Sequence, residues 1–194
     1  MTKIFRIAIF ASGNGTNAEA ILTYFKTHNS IEIALIASNN KEARVLERAA
    51  KFNVPTVVLN RTEFKDSSQI LSILHKQSVT HIVLAGFMWL VPSYLVTAYP
   101  NKIINIHPAL LPAFGGKGMF GMHVHEAVKA SGQTVSGITI HVVNEHYDEG
   151  KILLQKSCTI LPLDSADDIA NKVHALEYEW YPKQIEAWIT KLSS

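Results

Sequence analysis

The chain has 194 residues, 47% of them hydrophobic, so it can bury a sizeable core and does not have the composition of a disordered protein. The 18 Lys and Arg residues nearly balance the 16 Asp and Glu residues, giving a formal net charge of +2, and no basic cluster suggests nucleic-acid binding. Cys158 is the only cysteine, which excludes an internal disulfide and favours a reducing, cytoplasmic location. We expect no membrane span and no signal peptide, because the sequence has neither pattern.

The first half of the chain alternates short apolar segments with amphipathic ones. We predict strands over residues 4–11, 31–38, 54–59, 81–85 and 103–107, and helices over 16–27, 43–52 and 67–77. The first helix is expected to begin with a capping box formed by Thr16 and Glu19. Near-continuous apolar strands that alternate with helices predict an α/β, Rossmann-like fold, with a mostly parallel central sheet and helices on both faces.

The second half of the chain departs from this alternation. Residues 114–122 contain four glycines and are expected to form a flexible loop before a short helix over 124–130. Two further strands, over 134–143 and 152–160, are expected to add antiparallel strands to the sheet. Asp164 should cap a final helix that Pro182 kinks or breaks.

A glycine-rich segment joins the first predicted strand to the first predicted helix. Gly13-Asn14-Gly15-Thr16-Asn17-Ala18 has the spacing G-x-G-x-x-A, which allows a tight turn and places a phosphate at a helix N-terminus. The same glycines could also serve a turn without any ligand. The second strand is followed by Asn39 and Asn40, with no acidic residue to hold an adenosine ribose, so a monophosphate is favoured over a dinucleotide.

Asn105 and His107 lie at the end of the fifth predicted strand, on the same face, and Pro108 should end that strand. Ligands of open α/β sheets bind at the carboxyl ends of the strands. An amide donor beside an imidazole can stabilise an oxyanion and move a proton. The alternative at this point is that both side chains bond to nearby backbone.

Other polar residues have simple structural explanations when each is taken alone. Asp148 lies in the loop between the last two strands, where Asp commonly forms turns. His123 and His125 lack a matched third ligand, so we predict no metal site. His141 falls in an apolar strand pattern and is expected to be a structural strand residue, and Glu177 is expected at a solvated helix edge.

Four segments occur together in one order: Ser12-Gly13-Asn14-Gly15-Thr16-Asn17, Leu84-Ala85-Gly86-Phe87-Met88, Asn105-Ile106-His107-Pro108-Ala109-Leu110-Leu111-Pro112 and Tyr147-Asp148-Glu149-Gly150. In this combination the sequence resembles the phosphoribosylglycinamide formyltransferases, the folate-dependent enzymes of purine biosynthesis. The resemblance extends from the first strand to Tyr181-Pro182. It implies one formyltransferase domain over residues 1–194, with a phosphate-binding half over 1–100 and a catalytic and folate-binding half over 101–194.

The resemblance implies transfer of a formyl group from 10-formyltetrahydrofolate, as co-substrate, to the glycine amine of glycinamide ribonucleotide in IMP biosynthesis. No metal, nucleic acid or membrane would take part, and the protein would be a monomer or a homodimer. The implied catalytic residues are Asn105, His107 and Asp148. The implied ribonucleotide-binding residues are Gly13, Asn14, Gly15, Thr16, Asn17 and Glu177. The implied folate-binding residues are Met88, Trp89, Leu90, Val91, Asn105, Asn144, Glu145, His146, Tyr147 and Asp148.

In the mechanism that this resemblance implies, Asn105 and a protonated His107 donate hydrogen bonds to the formyl oxygen, and Asp148 favours the imidazolium. The family also suggests a cis peptide bond before Pro112. Trp89 stands where relatives often have Arg, and residues 65–68 lack an Arg that many relatives carry. The glycine-rich loop, here residues 115–122, is longer than in some relatives.

Two alternatives of different kinds stay open from the sequence. A hydrolase that releases formate from the same folate could keep the catalytic residues and dispense with the phosphate loop, so the intact loop argues against it. A Rossmann-like module that binds a nucleotide without chemistry would leave the pair formed by Asn105 and His107 unexplained.

Overall fold

The computed structural model of the protein describes residues 4–193. It contains seven strands: β1 (Phe5–Phe10), β2 (Ile31–Ser38), β3 (Thr56–Val58), β4 (His81–Leu84), β5 (Ile103–His107), β6 (Val135–Val142) and β7 (Ile152–Thr159). Its α-helices are α1 (Thr16–Phe25), α2 (Arg44–Lys51), α3 (Ser67–Lys76), α4 (Ser93–Ala98), α5 (Met122–Ala130) and α6 (Ala166–Ser193). None of the described helices is both long and apolar enough to cross a membrane.

All seven strands belong to one sheet, in the order β3-β2-β1-β4-β5-β6-β7. Strands β1 to β5 run parallel, whereas β6 pairs antiparallel with both β5 and β7. After β3 the chain crosses to the other side of β1 to form β4, so the order switches between β1 and β4. Such a switch leaves a crevice at the carboxyl ends of the strands, where ligands bind in open α/β sheets. The predicted fold class is confirmed.

Helices cover both faces of the sheet because the central strands are apolar on both sides. In β1, Ile7 and Ile9 point into one buried cluster, the first core, which also contains side chains of α1, α2, α5 and α6. Ala8 and Phe10 point into the second core, which contains side chains of α3 and α4. All four residues are at most 1% exposed, so β1 lies at the centre of the molecule.

The start of α1 differs from the prediction. Thr16 is already the first helical residue, and Gly15 occupies the N-cap position in a left-handed conformation with φ 75°. No side chain caps this helix, so the predicted capping box is wrong. Glu19 instead pairs with Arg48 of α2. The turn needs a positive φ immediately before the helix, and only glycine adopts this readily.

The start of α6 also differs from the prediction. Ser165, and not Asp164, is the cap: its Oγ accepts from the Asp168 N–H at 3.1 Å, and Asp168 Oδ2 accepts from the Ser165 N–H at 2.9 Å. Reciprocal bonds of this kind define a capping box. The Asp164 carboxylate accepts from the Leu161 N–H and pairs with Lys172, so it fixes the loop that precedes the helix.

Pro182 does not break α6, which continues through it to Ser193. A proline inside a helix costs about 3 kcal/mol. The residues around it offset this cost, because Tyr181, Ile185 and Trp188 are all buried in the first core. The Tyr181 hydroxyl also donates to the Leu84 carbonyl at 2.7 Å, which ties α6 to the end of β4.

Candidate active site

A cavity of about 600 Å³ opens at the carboxyl ends of β1, β4 and β5, at the switch in strand order. Three segments that directly follow or end these strands line it, namely residues 13–17, 84–91 and 105–108. Residues of the 116–122 loop, residues 143, 144 and 146–148 of the β6–β7 loop, one histidine each from α5 and β6, and two side chains of α6 complete the lining. The segments that the sequence singled out therefore meet in one place.

Asn105, His107 and Asp148 come together at the floor of this cavity. His107 Nδ1 lies 3.5 Å from Asp148 Oδ2, and Asn105 Nδ2 lies 3.5 Å from Asp148 Oδ1. A fourth polar side chain joins them: His141 Nε2 lies 3.2 Å from Asn105 Nδ2 and 3.5 Å from Asp148 Oδ1. Asn105 is thus held between an imidazole and a carboxylate, and it does not bond only to backbone.

His107 is 3% exposed, and its surroundings set opposing effects on its charge. Burial lowers its pKa, Asp148 and the Phe114 carbonyl raise it, and His141 lowers it, with a net result below the ordinary value. Its Nε2 lies 2.7 Å from the Phe114 carbonyl oxygen. Asp148 therefore favours the imidazolium as expected, but burial outweighs this effect and the pKa of His107 stays below its ordinary value.

Asp148 keeps its negative charge in spite of its position. Burial alone raises the pKa of this carboxyl, but the hydrogen bond with His141, the charge of His107 and the Gly116 N–H together hold it below its usual range. The Gly116 N–H donates to Asp148 Oδ2 at 3.0 Å. Asp148 has a φ of 57°, in the left-handed region that Asp tolerates better than most residues.

The glycine loop after β1 brings a helix N-terminus to the cavity. The first N–H groups of any α-helix have no partner within the helix, and they attract anions. A Cβ at Gly15 would lie 2.5 Å from the Val45 Cβ, so a side chain at this position would collide with α2. The Ser12 hydroxyl accepts from the Met88 N–H at 2.8 Å and fixes the loop against the segment after β4.

Glu177 is 5% exposed, so its predicted position at a solvated helix edge is wrong. Its Oε2 accepts from Asn17 Nδ2 at 2.8 Å, which joins α6 to the glycine loop. Burial raises the pKa of Glu177 to about 7 against the lowering effect of this hydrogen bond. Within the described part of the chain, the buried Asn17 Oδ1 and His125 Nδ1 have no hydrogen-bond partner. Unsatisfied polar atoms that border a cavity are suited to contact a ligand.

Comparison with known proteins places this geometry in a family. A family model described as formyl transferase matches residues 5–185. The chain belongs to the formyl transferase family. It is 39% identical to the phosphoribosylglycinamide formyltransferase of Bacillus subtilis (strain 168), with 93% of each chain covered. It is 37% identical to the chloroplastic enzyme of that name from Arabidopsis thaliana, where 94% of this chain covers 64% of the plant protein.

Solved structures agree with this assignment. The crystal structure of phosphoribosylglycinamide formyltransferase from Bacillus halodurans is 35% identical and has a TM-score of 0.86, with 96% of each chain covered. The resemblance inferred from the four sequence motifs is confirmed. The peptide bond between Leu111 and Pro112 is cis, as the resemblance suggested.

Most of the residues expected to hold folate line the cavity. These are Met88, Trp89, Leu90, Val91, Asn105, Asn144, His146, Tyr147 and Asp148. Glu145 is exposed and is not part of this lining. Trp89 packs against Phe64 and Phe87 and carries the Arg61 guanidinium 6.0 Å from its ring centre. Trp89 is therefore part of an aromatic wall that has a cation beside it.

Three histidines of this formyl transferase reach the cavity without having been predicted there. His141 faces Asn105 across the antiparallel β5–β6 pair, and this register was the only signal that could have placed it. His125 of α5 and His174 of α6 meet edge to face, with ring centres 6.1 Å apart. Burial and the charge of His174 lower the pKa of His125 to about 4. Within residues 4–193, no three His, Cys, Asp or Glu side chains are grouped so that they could hold a metal ion.

Proposed function

We propose that this formyl transferase moves a formyl group from 10-formyltetrahydrofolate to the glycine amine of glycinamide ribonucleotide, a step in purine biosynthesis. One observation carries the proposal: a single cavity joins an anion-binding helix N-terminus to the polar group formed by Asn105, His107 and Asp148. In this proposal the phosphorylated amine binds at the glycine loop and the folate binds at the segments after β4 and β6 of the same cavity. The Bacillus relatives named phosphoribosylglycinamide formyltransferase support this function.

The reaction needs an oxyanion donor and a path for one proton. The amine attacks the formyl carbon, a carbon–nitrogen bond forms, and negative charge collects on the formyl oxygen. Asn105 can donate to this oxygen through Nδ2. Collapse of the intermediate then breaks the bond between the formyl carbon and the folate nitrogen, which takes up a proton while the amine loses one.

His107 and Asp148 are the groups proposed to handle that proton. Asp148 stays ionised because its neighbours lower its pKa, so it can accept a proton directly or through water and can stabilise a charged His107. His107 Nε2 contacts the Phe114 carbonyl, so this contact has to be exchanged before the imidazole can donate to the formyl oxygen.

A direct assay tests the function. Purified protein is incubated with the formyl folate, with and without glycinamide ribonucleotide, and free folate, formate and the formylated product are measured. We expect formyl loss only when the ribonucleotide is present, in equal amount to the formylated product. Release of formate without the ribonucleotide would instead identify a hydrolase, and ribonucleotide binding without turnover in either mixture would identify a binding module. The comparisons favour neither alternative.

The remaining parts of the proposal concern organisation and location. We propose a single catalytic unit over residues 1–194 that acts as a monomer or homodimer on small molecules only. The lone Cys158 supports a reducing compartment such as the cytoplasm. Light scattering in solution tests the oligomeric state, and a fluorescent fusion to the full chain tests the location.

A further inference from the structure

The charges that line the cavity do not match an anionic substrate. Asp148 and Glu177 contribute two carboxyl groups, and Lys117 is the only Lys or Arg among the described lining residues. A phosphate monoester brings a charge of about −1.5 to −2 near neutral pH. The helix N-terminus supplies only about half an elementary charge of the opposite sign. A further cation is needed near the phosphate.

Arg48 does not fill this need, although it touches the glycine loop. Its Nε donates to the Asn14 carbonyl at 2.8 Å, and its Nη2 donates to Asn14 Oδ1 at 3.2 Å. Its Nη1 pairs with Glu19, so the charge is neutralised by that carboxylate. Arg48 is also absent from the cavity wall. It holds the loop in shape from the α2 side.

Lys117 differs from Arg48 in both position and pairing. It is exposed at the cavity wall, and its ammonium forms no hydrogen bond or ion pair with any residue in the described range 4–193. The neighbouring Gly116 and Gly118 have φ of 96° and 89°, and a Cβ at either would meet nothing within 4 Å. Glycine is thus required at both positions by the backbone conformation and not by crowding. Because the lysine side chain is exposed and is unpaired among the described residues, it can turn toward a ligand without breaking a contact.

The position of the loop indicates which substrate Lys117 meets. Phe114 and Met119, on either side of it, pack against the first core, as do the residues of α1 and α6. Phe87, Trp89 and Val143, on the folate side, pack against the second core. Lys117 therefore lies on a segment that packs on the same face of the sheet as the helices carrying Asn17 and Glu177. This favours the phosphate over the carboxylates of folate as its partner.

We propose that Lys117 is a specificity-determining residue that binds the phosphate of the ribonucleotide. The inference rests on the proposed function, which supplies the phosphorylated substrate. The lysine ammonium approaches the phosphate from the loop, opposite the N–H groups of α1. A charged contact of this kind adds affinity for the phosphorylated amine and none for its unphosphorylated riboside.

The test compares Lys117→Met, Lys117→Arg and a matched control, Lys51→Met, which removes an exposed lysine at the end of α2 outside the cavity. KM is measured for both substrates, and calorimetry gives the Kd of the ribonucleotide and of glycinamide riboside without folate. Lys117→Met should raise the KM and Kd of the ribonucleotide by about tenfold or more, and leave the folate KM and the riboside Kd unchanged. Lys117→Arg should restore most of the loss, and Lys51→Met should match the wild type.

The outcomes separate this inference from the proposed function. Wild-type turnover with the ribonucleotide decides the function. Given that turnover, an unchanged ribonucleotide Kd in Lys117→Met overturns the assignment of Lys117, and so does an equal loss for the riboside. A rise in the folate KM alone would assign the lysine to the folate carboxylates and would also overturn it. Absence of wild-type turnover and of ribonucleotide binding would overturn both proposals.

Discussion

Single side chains in the cavity owe their charge to a balance between burial and one or two close neighbours. For His107 burial prevails and the pKa falls, whereas for Asp148 the neighbouring histidines and an N–H group prevail and the carboxylate stays charged. For Glu177 burial again prevails and the pKa rises. These three groups lie within one cavity, so small changes at single residues are expected to have large effects on catalysis.

Asn105 is the residue at which the effect of a substitution on kcat is easiest to predict. Removal of one oxyanion donor typically costs about 3 kcal/mol, or on the order of a hundredfold or more in kcat. We expect this loss in Asn105→Ala, with little change in the unfolding temperature. Asn171→Ala, which removes an exposed amide on α6, should retain wild-type kcat. Near wild-type turnover of Asn105→Ala would remove Asn105 from the oxyanion site.

Asp148→Asn tests the electrostatic link to His107. Asp148 raises the pKa of His107 while burial and His141 lower it, so loss of the carboxylate should lower that pKa further. The kcat should drop strongly near neutral pH and recover in part on acidification, until the amine substrate is protonated. NMR titration of His107 measures the pKa in both proteins. An unchanged or raised His107 pKa in the variant would show that Asp148 is not its electrostatic partner. Glu149→Gln, which removes an exposed carboxylate in the same loop, serves as the control.

At the scale of elements, the glycine loop combines two requirements that substitutions can separate. A Cβ at Gly13 would meet nothing within 4 Å, whereas one at Gly15 would collide with Val45. Gly13→Ala should therefore fold normally and raise the KM of the ribonucleotide, but not that of folate, because the methyl group hinders phosphate approach. Gly15→Ala should lower the free energy of unfolding by more than about 1 kcal/mol, because its φ of 75° and its contacts both oppose a side chain. Equal effects of Gly13→Ala on both substrates would mean that the loop does not bind the phosphate.

The elements also show which structural features can be predicted from sequence alone. β2 and β5 begin and end at the predicted residues, because a run of buried apolar residues marks them clearly. α4 and the 3₁₀ helix Glu63–Lys65 were missed, since six and three residues are too few to show a helical period. The continuation of α6 through Pro182 depends on burial in the first core, which no local pattern contains.

In the candidate site, too, some features can be predicted from the sequence and others cannot. The glycine loop and the end of β5 are recognisable locally, because each combines unusual residues with a strand end. His141 and Glu177 looked structural or solvated, since their positions depend on the β5–β6 register and on how α6 crosses the sheet. Only the resemblance to a known family associated Glu177 with the ribonucleotide.

At the scale of the whole molecule, the site depends on contacts between distant parts of the chain. Asn17 and Glu177 are 160 residues apart, and the hydrogen bond between them joins the first helix to the last. The Tyr181 hydroxyl similarly ties α6 to the end of β4, across 97 residues. The position of α6 thus controls both the stability of the fold and the shape of the ribonucleotide side, so a titrating group on its buried face should affect the stability of the whole protein.

Glu177 is that group. Its pKa rises from 4.5 to about 7 on folding, so between these values the folded state binds a proton that the unfolded state releases. Its contribution to the free energy of unfolding is therefore fully present below about pH 4.5 and is lost as the pH rises through about 7. The shift corresponds to roughly 3 kcal/mol, because one pKa unit is about 1.4 kcal/mol.

Glu177→Gln keeps the size of the side chain and an oxygen for Asn17, but it does not titrate in this range. Urea unfolding of both proteins from about pH 5 to about pH 8 should show the wild type losing up to roughly 3 kcal/mol relative to the variant. Glu179→Gln, on the exposed face of the same helix, should follow the wild type at every pH, because its carboxylate is solvated in both states. If wild type and Glu177→Gln lost stability in parallel, Glu177 would be ionised throughout, and the cavity would hold a fixed negative charge beside the glycine loop.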